Sequence, residues 1–379
     1  MRRLAIIFFF LVTACSHGPY QTQAGIPVTE WAVKPAPGLD AVLLIGAMSG
    51  DKLQSSHYPD EIAKYKATLS EEAGAALDRI GVAFSAPGQG LAGPSFAFPL
   101  GAVSDLSVDG VYAVLADPKP FFQGLNRELS DERLRQLGDL RTVYDELRQA
   151  GFAADWENEV KPVAEERASL FRNYLAGYDI IPEQERYLGR SLEKRIEVLL
   201  LHYNRPYGIR VHGQRFATYH GWDEADTLRV AVHEMFHPPF DGNNATLRQA
   251  GARIAVDPLI NNIIDTADPA WGYSSLGRLV DEDSTQALDM IVSLRLGLDR
   301  DPGEYWREQD NGMHLLAAAM YDAMVETGFA ETGGVYEEWL IEALSSEILS
   351  PAAVERRARK VVGDAAVDKW LPDNSKSGS

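Results

Sequence analysis

The residues best suited to chemistry are His233, Glu234 and His237, in the run His233-Glu234-Met235-Phe236-His237. On a helix, positions four apart lie one turn above another on the same face. Two imidazoles so spaced reach a single tetrahedral zinc ion, and the glutamate between them can accept a proton from water activated there. The flanking residues predict that helix. Counting 100° per residue, Leu228, Ala231, Val232, Met235 and Phe236 form an apolar face, and His233, Glu234 and His237 fall opposite. Asp223 or Asp226 can cap the start, while Pro238 and Pro239 stop the helix directly after His237. The second histidine is thus expected in the last turn, with the site left open.

A catalytic zinc needs a third protein ligand and a free position. No further histidine follows closely, since Gly242 and Asn243 come next, so a glutamate on a later helix is the other common solution. The segment Asp281-Glu282-Asp283 opens an apparent helix. Glu282 is the chosen ligand because it shares a polar face with Gln286, Asp289 and Ser293. Asp283 is the rival. It falls on the apolar face with Met290 and Leu294, and there it must be buried with a partner or bind something. The plainer alternative for the whole cluster is an acidic first turn that complements the helix dipole.

Other chemistry is disfavoured. There is no G-x-S-x-G elbow and only one cysteine, Cys15. Gly88 to Gly93 matches G-x-G-x-x-G, but Pro87 and Pro94 bracket it and no strand–helix–strand context surrounds it, so no dinucleotide site is expected.

The elements that must hold the metal residues come from a 379-residue chain of ordinary globular composition, 45% hydrophobic and 24% charged. Its net charge of -19 argues against nucleic acid as a partner. Residues 1–14 have the charged start, short apolar run and small residues of a secretory signal. Residues 15–38 are rich in Pro, Gly and polar groups and read as a tether. Residues 39–190 read as a helical N-terminal region, with helix from Tyr58 to Ile80, a Gly/Pro loop from Ser85 to Pro99, and two or three amphipathic helices from Ser130 to Ala176. Residues 191–371 form the expected catalytic domain. Strands are expected at Ile196–Leu201, Gly208–Val211 and Phe216–Tyr219, then helices to about Val362. Residues 372–379 form a polar tail. The fold class is α+β, mostly helical, with a small sheet.

Two resemblances add to this reading. Leu11-Val12-Thr13-Ala14-Cys15 resembles the lipobox of bacterial lipoproteins. That implies acylation of Cys15, a bilayer as partner and a place in the cell envelope, in an outer membrane facing the periplasm where one exists. The pattern from Ala41-Val42-Leu43-Leu44 through Tyr58-Pro59, Ser95-Phe96-Ala97 and Val232 to His237, to Glu282 with Ala287, resembles an uncharacterised family of exported bacterial proteins with a zincin-like domain. It also resembles the gluzincin branch of zinc peptidases, where a glutamate on a following helix completes the site. The resemblance implies zinc on His233, His237 and Glu282, Glu234 as general base, a peptide or protein substrate, and an edge strand above the metal. The run Tyr207 to Tyr219 is placed for that strand. His212, Tyr219, His220, His314 and Tyr321 are candidates to stabilise an oxyanion. Thermolysin-like enzymes carry an acid four residues after the ligand glutamate; here Gln286 stands there. The expected function is a zinc metallopeptidase of the envelope. The alternatives are a non-catalytic lipoprotein using the same fold as a binding scaffold, or a zinc amidase acting on a cell-wall amide.

Overall fold

The computed structural model describes residues 27–85, 90–206, 208–268, 273 and 275–372. The signal, Cys15, Tyr207 and residues 373–379 of the tail lie outside the described residues.

Strand β2 (Arg195–Leu201) is the centre of the molecule. Every residue after Arg195 is buried, the near-continuous apolar run of a strand covered on both faces. It pairs in parallel with β1 (Glu30–Pro35) on one side and with β4 (Arg215–Tyr219) on the other. β3 (Ile209–Val211) runs antiparallel to β4 and is the edge, giving the order β1-β2-β4-β3. Alternation along the strands sends side chains to two separate cores. Leu199, Leu201, Ile209, Val211 and Ala217 join the N-terminal helices. Val33, Ile196, Val198, Leu200 and Phe216 join the C-terminal ones.

The N-terminal layer is built on α1 (Pro37–Met48), which is buried from Gly38 to Met48 and so apolar on all sides. Around it lie helices at Pro59–Lys66 and Glu71–Ser85, α2 (Ala92–Leu100) and α3 (Asp131–Gln149). α4 (Lys161–Leu175) and α5 (Ile180–Leu188) lead into β2. The C-terminal layer carries α6 (Glu224–Glu234), α7 (Leu276–Arg295), α8 (Leu315–Glu326) and α9 (Pro351–Val362), with α7 and α9 both packed on α8. The result is mostly helical with a small mixed sheet, the expected α+β class. No helix among the described residues is long and apolar enough to cross a membrane.

Three stretches differ from expectation. The stretch read as tether contains β1 and the start of α1. The apolar partner that makes Glu30–Pro35 a strand is β2, far away in sequence. The expected Gly/Pro loop contains α2. Pro94 falls in the first turn, the Ser95 carbonyl that the internal Pro99 leaves free accepts from Arg133 at 2.8 Å, and Gly93 meets Gly46 of α1 so closely that a Cβ on Gly46 would lie 2.5 Å from the Gly93 Cα. The third glycine of the dinucleotide-like pattern therefore serves helix packing. The single helix read from Tyr58 to Ile80 is broken at 67–70, where the Ser70 hydroxyl accepts the Ala73 N–H at 3.2 Å.

Candidate metal centre

The motif helix α6 begins at Asp223, whose carboxylate accepts the Asp226 N–H at 2.7 Å, the capping expected of it. Leu228, Ala231, Val232 and Phe236 have no exposed surface and anchor the helix in the C-terminal core. The α-helix ends at Glu234 rather than at His237. Met235 and Phe236 form a closing turn, in which the Phe236 N–H bonds to the His233 carbonyl at 3.0 Å. His237 therefore sits just past the helix end, yet the imidazoles still converge. Their Nε2 atoms are 3.2 Å apart and their ring planes cross at 73°.

The third member is Glu282, from the second turn of α7. Its Oε1 lies 3.5 Å from His233 Nε2 and its Oε2 lies 3.7 Å from His237 Nε2. Ligand atoms of the three residues all fall within 4.8 Å of one another. Four ligands held about 2.1 Å from a tetrahedral ion are spaced about 3.4 Å apart. The cluster matches that spacing, and His233, His237 and Glu282 can hold a metal ion without rearrangement. Glu234 is buried beside them at 9% exposure. Burial works against a charge on His233, but Glu282, Asp289 and Glu234 outweigh it and push its pKa up to about 9. Burial also works to raise Glu282, and His233 and His237 outweigh it and hold that carboxyl below its ordinary value. The surroundings thus favour a positive charge between these groups, the role a bound cation fills in place of protons.

Each ligand is oriented by a different partner. Gln286 donates to Glu282 Oε1 at 3.0 Å and is itself fixed by the buried Trp306 indole N–H at 3.1 Å. His237 Nδ1 faces Thr285 Oγ1 at 3.2 Å and Asp281 Oδ2 at 3.6 Å. His233 Nδ1 faces Asp289 Oδ2 at 3.8 Å. Asp289 in turn accepts from Arg300 at 2.8 Å and from Ser293 at 2.9 Å. The acid beside the first histidine therefore stands seven positions after Glu282, two helical turns on, instead of four. The sequence reading placed Asp289 on the right face but gave it no role.

Asp283, the rival ligand, is buried as its helical phase requires and turned away. Its Oδ1 pairs with His314 Nδ1 at 2.6 Å and its Oδ2 accepts the Ala317 N–H at 3.0 Å. His314 Nε2 meets Asp310 at 3.0 Å. Burial works against the charge on His314, but Asp283 and Asp310 push its pKa up to about 10. His314 is thus a structural cation joining α7 to α8.

A cleft of about 670 Å³ opens over His233, Glu234 and Glu282, walled by Trp222, Arg229 and Tyr305. None of the five expected oxyanion residues lines it. His220 pairs with His202, and Tyr219 packs on His220. Tyr321 packs on Trp306, His212 has Arg127, Arg210 and Arg215 as charged neighbours, and His314 is committed to Asp283. Tyr273 was not anticipated. Burial raises its phenol well above the ordinary value, and Glu282, Asp310, Asp283 and Glu234 raise it further, so it keeps its proton. The edge strand approaches the motif helix closely: a Cβ on Gly208 would lie 2.5 Å from Val230 and 3.4 Å from Glu234 Oε1.

No family model, curated protein or solved structure matches the chain.

Proposed function

We propose that this chain is a zinc-dependent metallopeptidase of the gluzincin type, exported and held in the bacterial envelope by an acylated Cys15. The observation that carries the reading is the convergence of His233, His237 and Glu282 ligand atoms within 4.8 Å, with the buried Glu234 beside them. Two imidazoles and one carboxylate suit zinc and leave a position open. Held by His233, His237 and Glu282, a zinc ion would supply Lewis acidity toward the scissile carbonyl and toward water near neutral pH. Glu234 takes the proton from the attacking water and later delivers it to the leaving amine. Substrate would lie along β3. The end of that edge is already taken, since the His212 N–H turns away from β4 to the Phe98 carbonyl at 3.1 Å, so the substrate would pair ahead of it, with the main-chain groups of Arg210 that by the two-residue alternation turn the same way.

Glu234→Gln tests this. It keeps size and helix propensity and removes the proton acceptor. The variant is expected to retain near-stoichiometric zinc by elemental analysis and to lose about 10²–10⁴-fold in peptide turnover. Full rescue of a deletion phenotype by Glu234→Gln would replace the peptidase with a zinc-bearing scaffold.

A further inference from the structure

Arg210 is the one residue of the short edge strand that faces the metal cluster. Its neighbours Ile209 and Val211 point into the N-terminal core, so Arg210, like its cross-strand partner Phe216, points to the opposite face, where α6 lies. It is half-buried, and its Nε is shielded from solvent without a hydrogen-bond partner. Arg229 in the cleft wall shares an unpartnered Nε but pairs through its Nη1 with Asp226 at 2.6 Å, and three further inward-facing arginines are satisfied. Arg300 bonds Asp289, Arg357 bonds Asp322 and Glu326, and Arg167 bonds two carbonyls and Glu224. For Arg210, among the described residues, there is no side-chain hydrogen bond and no ion pair. The charges it feels are Glu234, Arg190 and Asp281, with burial working against its own charge more than any of them.

Those neighbours locate it. Asp281 lies 3.6 Å from His237, and Arg190 donates to the carbonyl of Pro238, the next residue, at 3.3 Å. Asp281 and Pro238 also line a second cavity, about 580 Å³ and mostly apolar, walled by Phe240, Leu247, Val280 and Leu344. Arg210 lines neither this cavity nor the cleft over the metal cluster, but Gly208, two residues earlier and so on the same face, lines that cleft beside Glu234, which sets Arg210 next to the site along the edge where a peptide would run. A half-buried guanidinium without partners is costly to keep, and its planar fork matches a carboxylate with two parallel bonds.

We propose that Arg210 binds a carboxylate of the substrate, beside the metal cluster at the edge strand. The carboxylate is either the free end of a peptide or an acidic side chain. The proposal rests on the peptidase reading for the ligand being a peptide.

The experiment uses the full chain, zinc-loaded, with Glu234→Gln to leave peptides uncut. Binding is measured for N-acetyl-Ala-Phe-Leu with a free carboxylate and as its amide, and for N-acetyl-Ala-Phe-Glu amide against N-acetyl-Ala-Phe-Gln amide. One carboxylate peptide is expected to bind about tenfold to a hundredfold tighter than its neutral counterpart, and which pair shows it names the source. Adding Arg210→Met should erase the preference and Arg210→Lys should keep part of it. Arg210→Met breaks no side-chain bond, so its melting temperature should not fall. Equal binding within both pairs, absence of binding by all four peptides, or a preference that survives Arg210→Met overturns the proposal. Turnover is measured separately with Glu234 intact. Turnover without the preference removes Arg210 and leaves the peptidase; the preference without turnover does the reverse.

Discussion

Among the described residues, two histidine pairs bring their ring nitrogens nearly into touch, and they sit in opposite electrostatic settings. His202 Nδ1 and His220 Nε2 are 2.9 Å apart on near-parallel rings, 20° between planes. His233 and His237 approach to 3.2 Å with planes crossed at 73°. In the first pair, burial foremost, then His202 and Arg167, lowers His220 to about 4. In the second, three carboxylates overcome burial and lift His233 to about 9. At the first pair Glu61 stands 3.9 Å from His202 Nε2, and the nearer Asp40 carboxylate is taken up by the backbone N–H groups of His202 and Tyr203. Two close imidazoles are therefore not enough to attract a cation. Stacked rings aim their nitrogens at each other and share a proton. Crossed rings backed by carboxylates aim theirs at a common point.

The sharpest way to break the comparison is to take the acid from the second pair. Glu282→Gln should reduce zinc from about one per chain to near none under dialysis, because two imidazoles alone leave the site short of a ligand. A double His202→Ala, His220→Ala variant should keep its zinc. Equal zinc loss in both would erase the distinction. Next comes a third environment, His314 between Asp283 and Asp310. Its pKa is raised, so its stabilisation is full below the ordinary histidine value near 6.5 and is lost as pH rises through about 10. Denaturant midpoints should fall across that window. His314→Gln should be about 3–5 kcal/mol less stable at neutral pH and nearly flat there, since it strands the fully buried Asp283 carboxylate and unpairs the partly exposed Asp310. A smaller effect is expected at Asp289, which orients His233 without binding metal: Asp289→Asn should weaken zinc about 10–100-fold in competition with a chelator. The smallest is at His220. With its pKa lowered to about 4, the unfolded chain takes up the proton first, so stability drops as pH falls from about 6.5 to 4. His220→Gln should spare on the order of 1–2 kcal/mol of that acid loss, read as a smaller change in urea midpoint between pH 7 and 4.5.

The parts of this arrangement that were legible in the sequence are those set by local periodicity. The phase of α6, a cap at Asp223 or Asp226 and the burial of Asp283 all follow from counting residues around one helix, whereas the helix ends at Glu234, ahead of the prolines expected to stop it after His237. The strands at Ile196–Leu201 and Phe216–Tyr219 were legible too, as short apolar runs interrupted only by Glu197 and Thr218. What could not be read depends on distant partners. Glu30–Pro35 is half polar and becomes a strand because β2 offers a register. α2 looks like a loop until Gly93 has Gly46 to lie against. The unanticipated acid of the site, Asp289, was hidden by an expectation of spacing: two turns of helix place a carboxylate on the same face as one turn does, and only Arg300 and Ser293 reveal which turn is used. The oxyanion candidates were chosen by residue type alone, and type says nothing of where a fold spends its histidines.

α7 has a further consequence for how this protein can change. Asp281, Glu282, Asp283, Thr285, Gln286 and Asp289 all lie on this one 20-residue helix. They hold a ligand, its anchor, the supports of both histidines and the tie to α8. Point substitutions act on them one at a time and should give graded defects. A single-residue insertion or deletion between Glu282 and Asp289 turns one end against the other by about 100°, which moves Asp289 off His233 or Glu282 off the cluster in one step. Lineages carrying a working centre should therefore vary freely in the length of the connections around α7 while the count of residues within it stays fixed.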